Sequence, residues 1–294
     1  MTGTVPRAVV IGFRRWRAWN LGPLLRAAAG HVVFARDVVA AQALRPGPQD
    51  RVMVWGAGSP AGLDALIATS GARLVRIEDG FIRSVGLGSD LIVPRSLVFD
   101  EEGIYFDATR PSRLERVLAT GVFDPALCAR AAALRSLIVD RSLTKYNVES
   151  DFPAQWDSGG RPVVLVPGQV ETDASIALGG GTVRTNRAVL QAARAARPDA
   201  FVVYKPHPDV ITGNRRGRLA ADARVLADHV ETRASIIACL ARTDAVHTMT
   251  SLAGFDALLR GIDVVTYGAP FYAGWGLTED CAPIIRHGHG AGGI

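Results

Sequence analysis

Short runs rich in β-branched residues alternate with longer stretches rich in Ala, Leu and Arg along the whole chain of 294 residues. That alternation predicts βα units and parallel sheets. In the first half the predicted strands are Ala8–Ile11, Val32–Ala35, Arg51–Trp55, Leu74–Ile77 and Leu97–Phe99. In the second half they are Pro162–Val166, Phe201–Tyr204, Val225–Val230, Ala245–Thr248 and Val264–Tyr267. Most are continuous apolar runs, the pattern expected when helices cover both faces of a sheet. Helices are predicted over Asp124–Val139, Arg184–Arg197, Ser235–Arg242 and Ser251–Arg260, the second stopped by Pro198 and the last by Gly261. The stretch Asp140–Arg161 lacks periodicity and carries Asn147, Pro153, Gly159 and Gly160. A boundary within it divides the chain into 1–145 and 146–294. The expected fold class is therefore α/β, with two Rossmann-like domains facing a cleft and ligands at the carboxyl ends of the strands.

Composition narrows the function classes. Hydrophobic residues make up 48% of the chain and charged ones 21%, as in a globular rather than a disordered protein. Lys and Arg outnumber Asp and Glu by 33 to 28. The resulting +5 fits an anionic ligand or an anionic membrane surface, and fits equally a genome that favours Arg over Lys. It is too small and too scattered for a nucleic-acid partner, which needs a concentrated basic stripe. Cys128, Cys239 and Cys281 make neither a disulfide framework nor a zinc pattern, which points to a reducing cytoplasm. Arg14, Arg15 and Arg17 interrupt the apolar stretch beginning at Val9, so it does not read as a signal peptide. No segment approaches the ~20 continuous apolar residues of a bilayer span, and any membrane contact is expected to be peripheral.

The candidate chemistry lies just past the carboxyl end of each strand. Glu78 and Asp79 come directly after Leu74–Ile77, with Gly80 for a turn and Arg83 beyond. A carboxylate there suits general acid–base work and the arginine suits bidentate capture of an anion, although a surface turn with a capping acid has the same composition. After the strand ending at Val166 comes an acidic segment with Gln169, Glu171 and Asp173, then Gly179–Gly181 and Arg184. The glycines suit either close backbone approach to a ligand or a flexible loop. The segment does not match a dinucleotide fingerprint. Lys205 and His207 stand among prolines after Phe201–Tyr204, a rigid turn suited to a phosphate. Thr250 and Ser251 open a helix, where they serve as caps and where unpaired amides favour phosphate. No Asp-x-Asp element is positioned for a divalent ion, and no metal or other cofactor is expected. The aromatic segment Tyr267–Gly276 suits either sugar-ring packing or a loop closing the cleft.

Several of these blocks, in order, resemble the KpsC family of capsule polysaccharide Kdo transferases. The matching stretches are Val10–Phe13 with Trp16, Arg76–Ser84, Gly86–Gly88, Pro167–Ser175, Tyr204–Asp209, His247–Phe255 and Pro270–Gly276. Family members usually carry two related transferase modules. This chain has room for one, closer in its second half to the C-terminal module, and its glycine-rich end from Arg286 replaces an expected terminal helical segment. The resemblance implies a GT-B-like fold, CMP-β-Kdo as donor, and retention of configuration. It implies a Kdo-terminated lipid acceptor at the inner membrane, in capsular linker synthesis. It further implies that Lys205, His207, Thr250 and Ser251 grip CMP, with Gln169, Asp79, Arg83 and Arg184 completing the substrate-binding set. Asp173 becomes the candidate nucleophile and Glu78 the candidate acid/base. Two other readings share these features: a sialyl-type CMP-sugar transferase, and a non-catalytic nucleotide-sugar-binding module of a capsule assembly complex.

Overall fold

The computed structural model describes residues 6–148, 152–211 and 225–287. Past His287, the glycine-rich end lies outside the described residues. The first half runs β1 (Arg7–Ile11), α1 (Arg15–Ala29), β2 (His31–Ala35), α2 (Val38–Ala43), β3 (Arg51–Trp55), α3 (Leu63–Ser70), β4 (Arg73–Asp79), β5 (Leu97–Asp100), α4 (Arg113–Thr120) and α5 (Pro125–Asp140). The second runs β6 (Val163–Pro167), α6 (Ala174–Gly179), α7 (Asn186–Ala196), β7 (Phe201–Lys205), α8 (Pro208–Ile211), β8 (His229–Val230), α9 (Ile236–Leu240), β9 (Ala245–Thr248), α10 (Leu252–Leu259), β10 (Asp263–Thr266) and β11 (Glu279–Asp280). Their strands form two sheets, ordered β2-β1-β3-β4-β5 and β11-β10-β9-β6-β7-β8.

The continuous apolar runs have a direct explanation. Successive strand residues point to opposite faces, and both faces are covered. Val9, Val52 and Val54 pack on one side of the first sheet, and Ala8, Val10, Met53 and Val75 on the other. In the second sheet Leu165 and Val203 face one core, Val166 and Val202 the other. The helix starts are capped by side chains, Ser251 among them as the sequence predicts. Asp124, Thr185, Ser235 and Ser251 each accept a hydrogen bond from an N–H of the helix they open.

Three elements differ from the pattern. β5 runs antiparallel to β4, pairing Val98 with Glu78 and Leu97 with Asp79. Only a short 3₁₀ turn at Gly88–Asp90 forms between them, and a parallel return needs a longer crossover. That pairing also carries β4 through Glu78 and Asp79, which hydrophobicity alone leaves outside the strand. β8 is confined to His229–Val230, and the two-residue edge strand β11 holds no apolar residue.

The two sheets meet through aromatic side chains. Phe81, after β4, lies 4.9 Å from Tyr105 and 4.9 Å from Phe271, ring centre to ring centre. Phe255 of α10 lies 5.1 Å from Phe271, which also meets Tyr272 at 5.2 Å. Such pairs each add about 0.5–1.5 kcal/mol beyond the area they bury. Of the two readings of the Tyr267–Gly276 segment, Phe271 and Tyr272 thus take the packed one. No helix among the described residues is long and apolar enough to cross a membrane.

His247 of β9 is fully buried, with Nδ1 3.0 Å from the Tyr267 hydroxyl. Burial, assisted by the charge of Arg197, pushes it down to about 4 from an ordinary 6.5. The unfolded chain therefore binds a proton that the folded chain refuses, so stability falls as pH drops from 6.5 towards 4. This group alone removes about 3 kcal/mol between pH 7 and pH 4. Urea unfolding at the two pH values is expected to show that loss, and His247→Gln to flatten it.

Candidate functional site

A cleft of about 520 Å³ opens where the carboxyl ends of the two sheets face each other. Glu78, Asp79, Arg83, Gln169, Asp173, Lys205, His207, Thr250 and Ser251 all line it. Arg184 does not. Its guanidinium donates to the carbonyls of Gly181 at 2.9 Å and Gly180 at 3.2 Å, which ties it to its own loop rather than to a ligand.

The second sheet supplies a wall of donors. Lys205 ends β7, is 8% exposed, and donates from Nζ to the Ala234 carbonyl at 2.5 Å. In the next turn Asp209 N–H donates to His207 Nδ1 at 3.1 Å. With Nδ1 accepting, the neutral ring carries its proton on Nε2, which makes that atom a donor. Gln169 is buried and clamps the start of α10: its Oε1 accepts from Thr250 N–H at 3.0 Å, and its Nε2 donates to Thr250 Oγ1 at 3.0 Å. Thr250 Oγ1 donates in turn to Ser175 Oγ at 3.2 Å. Gln169 thus positions the helix start with an amide already engaged by protein. Ser251 caps α10 by accepting from Ala253 N–H at 3.2 Å. Beneath it the Tyr272 hydroxyl donates to Ser251 O at 2.5 Å, and a Cβ on Gly254 would come within 2.3 Å of that hydroxyl. Only glycine lets the ring in.

The two acids of the β6–α6 loop have separate fates. Glu171 Oε1 accepts from Asn186 N–H at 2.7 Å, at the first residue of α7, and the side chain does not line the cleft. Asp173 is exposed, lines the cleft, and uses Oδ1 to accept from Ser175 N–H at 2.9 Å. No protein donor among the described residues reaches its Oδ2. The three glycines beyond are packed. A Cβ on Gly181 would lie 2.7 Å from Tyr267 O, and one on Gly268, opposite, 2.7 Å from Gly179 O. The loop is a close backbone contact between α6 and the end of β10, neither a ligand cradle nor a flexible tether.

The first sheet presents charge. Glu78 Oε1 accepts from Asp79 N–H at 3.0 Å, and burial pushes its carboxyl up to about 7. Neighbouring Asp79 and Asp173 raise it further, while the Asp79 N–H and the Lys145 ammonium pull the other way. Arg83, expected to grip an anion bidentately, has turned inward. Its Nε donates to Asp79 Oδ2 at 2.7 Å and its Nη1 to Ser84 Oγ at 2.8 Å, with the side chain 5% exposed. The guanidinium neutralises Asp79 because a buried carboxylate needs a partner. The other oxygen, Asp79 Oδ1, is buried without a protein hydrogen bond among the described residues.

Two cations of this cleft are absent from the expected set. Lys145 comes from the aperiodic boundary stretch, which docks on the first sheet. Its carbonyl accepts from Arg83 N–H at 2.8 Å, and the Asn147 amide donates to Ser84 O at 3.0 Å. Burial disfavours its ammonium, but Tyr146, Tyr105, Asp79 and Glu78 outweigh that and hold it above the ordinary lysine range. Arg17, on α1, lies over the Trp55 ring at 4.5 Å. Its proximity to Asp79 and Glu78 was not legible, because β1 and β4 enter one sheet, with β3 between them, only on folding.

Residues 50–155 and 153–291 match the family model described as capsule polysaccharide biosynthesis protein. The chain belongs to that family. It is 43% identical over 278 residues to the capsule polysaccharide modification protein LipA of Neisseria meningitidis, a match covering 94% of this chain and 39% of LipA. It is 43% identical over 221 residues to the lipopolysaccharide-processing protein LpsZ of Rhizobium meliloti, covering 74% of this chain and 50% of LpsZ. The chain thus spans no more than half the length of these relatives. Two solved structures of Thermosulfurimonas dismutans KpsC are similar at 33% identity. Its β Kdo 2,4 transferase superposes with a TM-score of 0.79 over 94% of this chain and 84% of that one. Its β Kdo 2,7 transferase does so with 0.74 over 95% and 85%. The resemblance read from the motifs to KpsC proteins therefore holds, and the mixed α/β architecture with parallel strands is theirs.

The Lys145 ammonium opposes the rise at Glu78. In Lys145→Met the Glu78 titration, followed by carboxyl ¹³C NMR, is expected to move upward from about 7.

Proposed function

We propose that the chain is a retaining β-Kdo transferase, using CMP-Kdo as donor and a Kdo-terminated lipid as acceptor in capsular linker synthesis. In this reading residues 1–145 and 146–294 are the acceptor-side and donor-side domains of a GT-B-like enzyme, acting peripherally at the inner membrane. The observation that carries it is the cleft itself. Glu78 from one sheet and Asp173 from the other line it together, beside the Lys205–His207 turn and the start of α10. The likeness to two β-Kdo transferases at 33% identity supports the sugar.

The chemistry follows from those positions. The helix start, Lys205 and His207 Nε2 meet the phosphate of CMP, so the leaving group's charge needs no divalent ion. An Asp173 oxygen bonds to the anomeric carbon as its bond to the phosphate oxygen breaks, the electron pair leaving with CMP. The acceptor hydroxyl oxygen then bonds to that carbon as the bond to Asp173 breaks, and Glu78 takes the hydroxyl proton. Two inversions restore the β configuration. A carboxyl near 7 suits this exchange, because it changes hands with a proton at neutral pH.

Three outcomes are expected. Intact-protein mass spectrometry of Glu78→Gln after exposure to CMP-Kdo should show one added Kdo that maps to Asp173 and vanishes when Asp173→Asn is added. No adduct would favour front-face substitution, and a preference for CMP-sialic acid would move the chain to the sialyl class. CMP binding without turnover of any donor would leave the non-catalytic module. His207→Ala should weaken CMP by about 1–3 kcal/mol in calorimetry. With Glu78 as base, kcat/KM should rise with pH through about 7 and plateau above it, and EDTA should not change it.

A further inference from the structure

The cleft holds a guanidinium with no protein acceptor among the described residues. Arg17 stands in the first turns of α1, directly after β1, and is half-buried. Its guanidinium carbon lies 4.5 Å from the centre of the Trp55 ring and 5.7 Å from those of Phe13 and Trp16. Phe13 meets Trp55 edge-on at 5.9 Å and Phe34 at 6.2 Å, so the frame is fixed from behind by the sheet. The contrast with the neighbouring arginine is sharp, since Arg83 is folded onto Asp79 and Ser84. Arg17, Trp16 and Trp55 line the same cleft as Glu78, on the wall opposite Lys205 and His207.

An arginine stacked on rings loses few degrees of freedom when its fork closes on a planar anion. A carboxylate matches that fork with two parallel N–H···O bonds. The adjoining indoles suit the apolar face of a pyranose ring. We propose that Arg17 and its ring frame form a subsite for a sugar acid, gripping the carboxylate of the acceptor's terminal residue while Glu78 faces its hydroxyl. The assignment to the acceptor comes from placement, since the phosphate-binding elements stand on the other sheet. It rests on the transferase reading above, and it names what that reading leaves open, the group by which the acceptor is recognised.

Binding and turnover are measured separately on the full chain. A short Kdo glycoside and the same glycoside with its carboxylate reduced to an alcohol are titrated in the absence of donor, by ligand-detected NMR. The wild type should bind the acid at least about tenfold more tightly than the alcohol. Arg17→Gln should lose that discrimination and raise the acceptor KM by a similar factor, while CMP affinity stays as in the wild type. Arg17→Lys should recover part of it, because the charge returns without the fork. Arg17→Met, which keeps the stem against the rings, should behave as Arg17→Gln with an unchanged urea midpoint. Equal binding of the two glycosides by the wild type, or full discrimination by Arg17→Gln, overturns the proposal. So does a shift in the Glu78 titration with acceptor affinity unchanged, which would make Arg17 only a neighbouring charge. A fall in donor hydrolysis alone would assign the carboxylate to the donor and equally overturn it. Discriminating binding without any sugar transfer would keep the subsite and remove the transferase reading instead.

Discussion

The charges gathered at the end of β4 set the terms for the rest of the cleft. Glu78 and Asp79 are drawn out of water by the pairing of β4 with β5, and a buried carboxylate is costly unless it is neutralised or protonated. The chain uses both remedies, one for each acid. Asp79 takes the Arg83 guanidinium at 2.7 Å, and Glu78 shifts its proton affinity to about 7. The backbone of the segment after α5 is then drawn in by hydrogen bonds to Arg83 and Ser84, which brings Lys145 alongside. A connection between the sheets thereby becomes part of the site wall.

The opposite wall is built on another principle. Gln169, Ser251 and Tyr272 meet neutral partners there, and they fix the backbone at the start of α10. Gln169 holds Thr250 through both atoms of its amide, and Tyr272 supports the next residue from below through the gap left by Gly254. Positioning of this kind gives a field that needs no rearrangement when an anion arrives. The aromatic contacts of Phe81 and Tyr105 with Phe271 hold the charged wall and the amide wall face to face.

The sheet strands were legible because covering both faces of a sheet demands unbroken apolar runs, and few other structures do. Strand direction was not, since the run Leu97–Phe99 reads the same parallel or antiparallel. That Glu78, Asp173, Lys205 and His207 line one cleft could be foreseen by inspecting the residues just past each predicted strand, because strand ends gather along one edge. Such inspection fails for residues that reach the edge by other routes. Lys145 sits in a stretch whose lack of periodicity marks a boundary, and Arg17 reads in sequence as a charge that interrupts an apolar start. Arg83, which lines the cleft, and Arg184, which does not, show a second limit. Each has the right composition and neighbourhood, but sequence does not disclose that a guanidinium already has an internal partner.

The glycine run from Gly179 to Gly181 bears on how such a chain can be altered. By composition it looks like the natural place to insert a tag, open a loop or join a foreign segment. Yet Gly179 O accepts from Ala269 N–H at 2.7 Å, and backbone stands within contact distance of Gly181 where a side chain would begin. Tolerance to insertion depends on solvent around the backbone, not on glycine content. A run of glycines can thus mark the tightest seam of a protein, the one where two backbones touch with nothing between them.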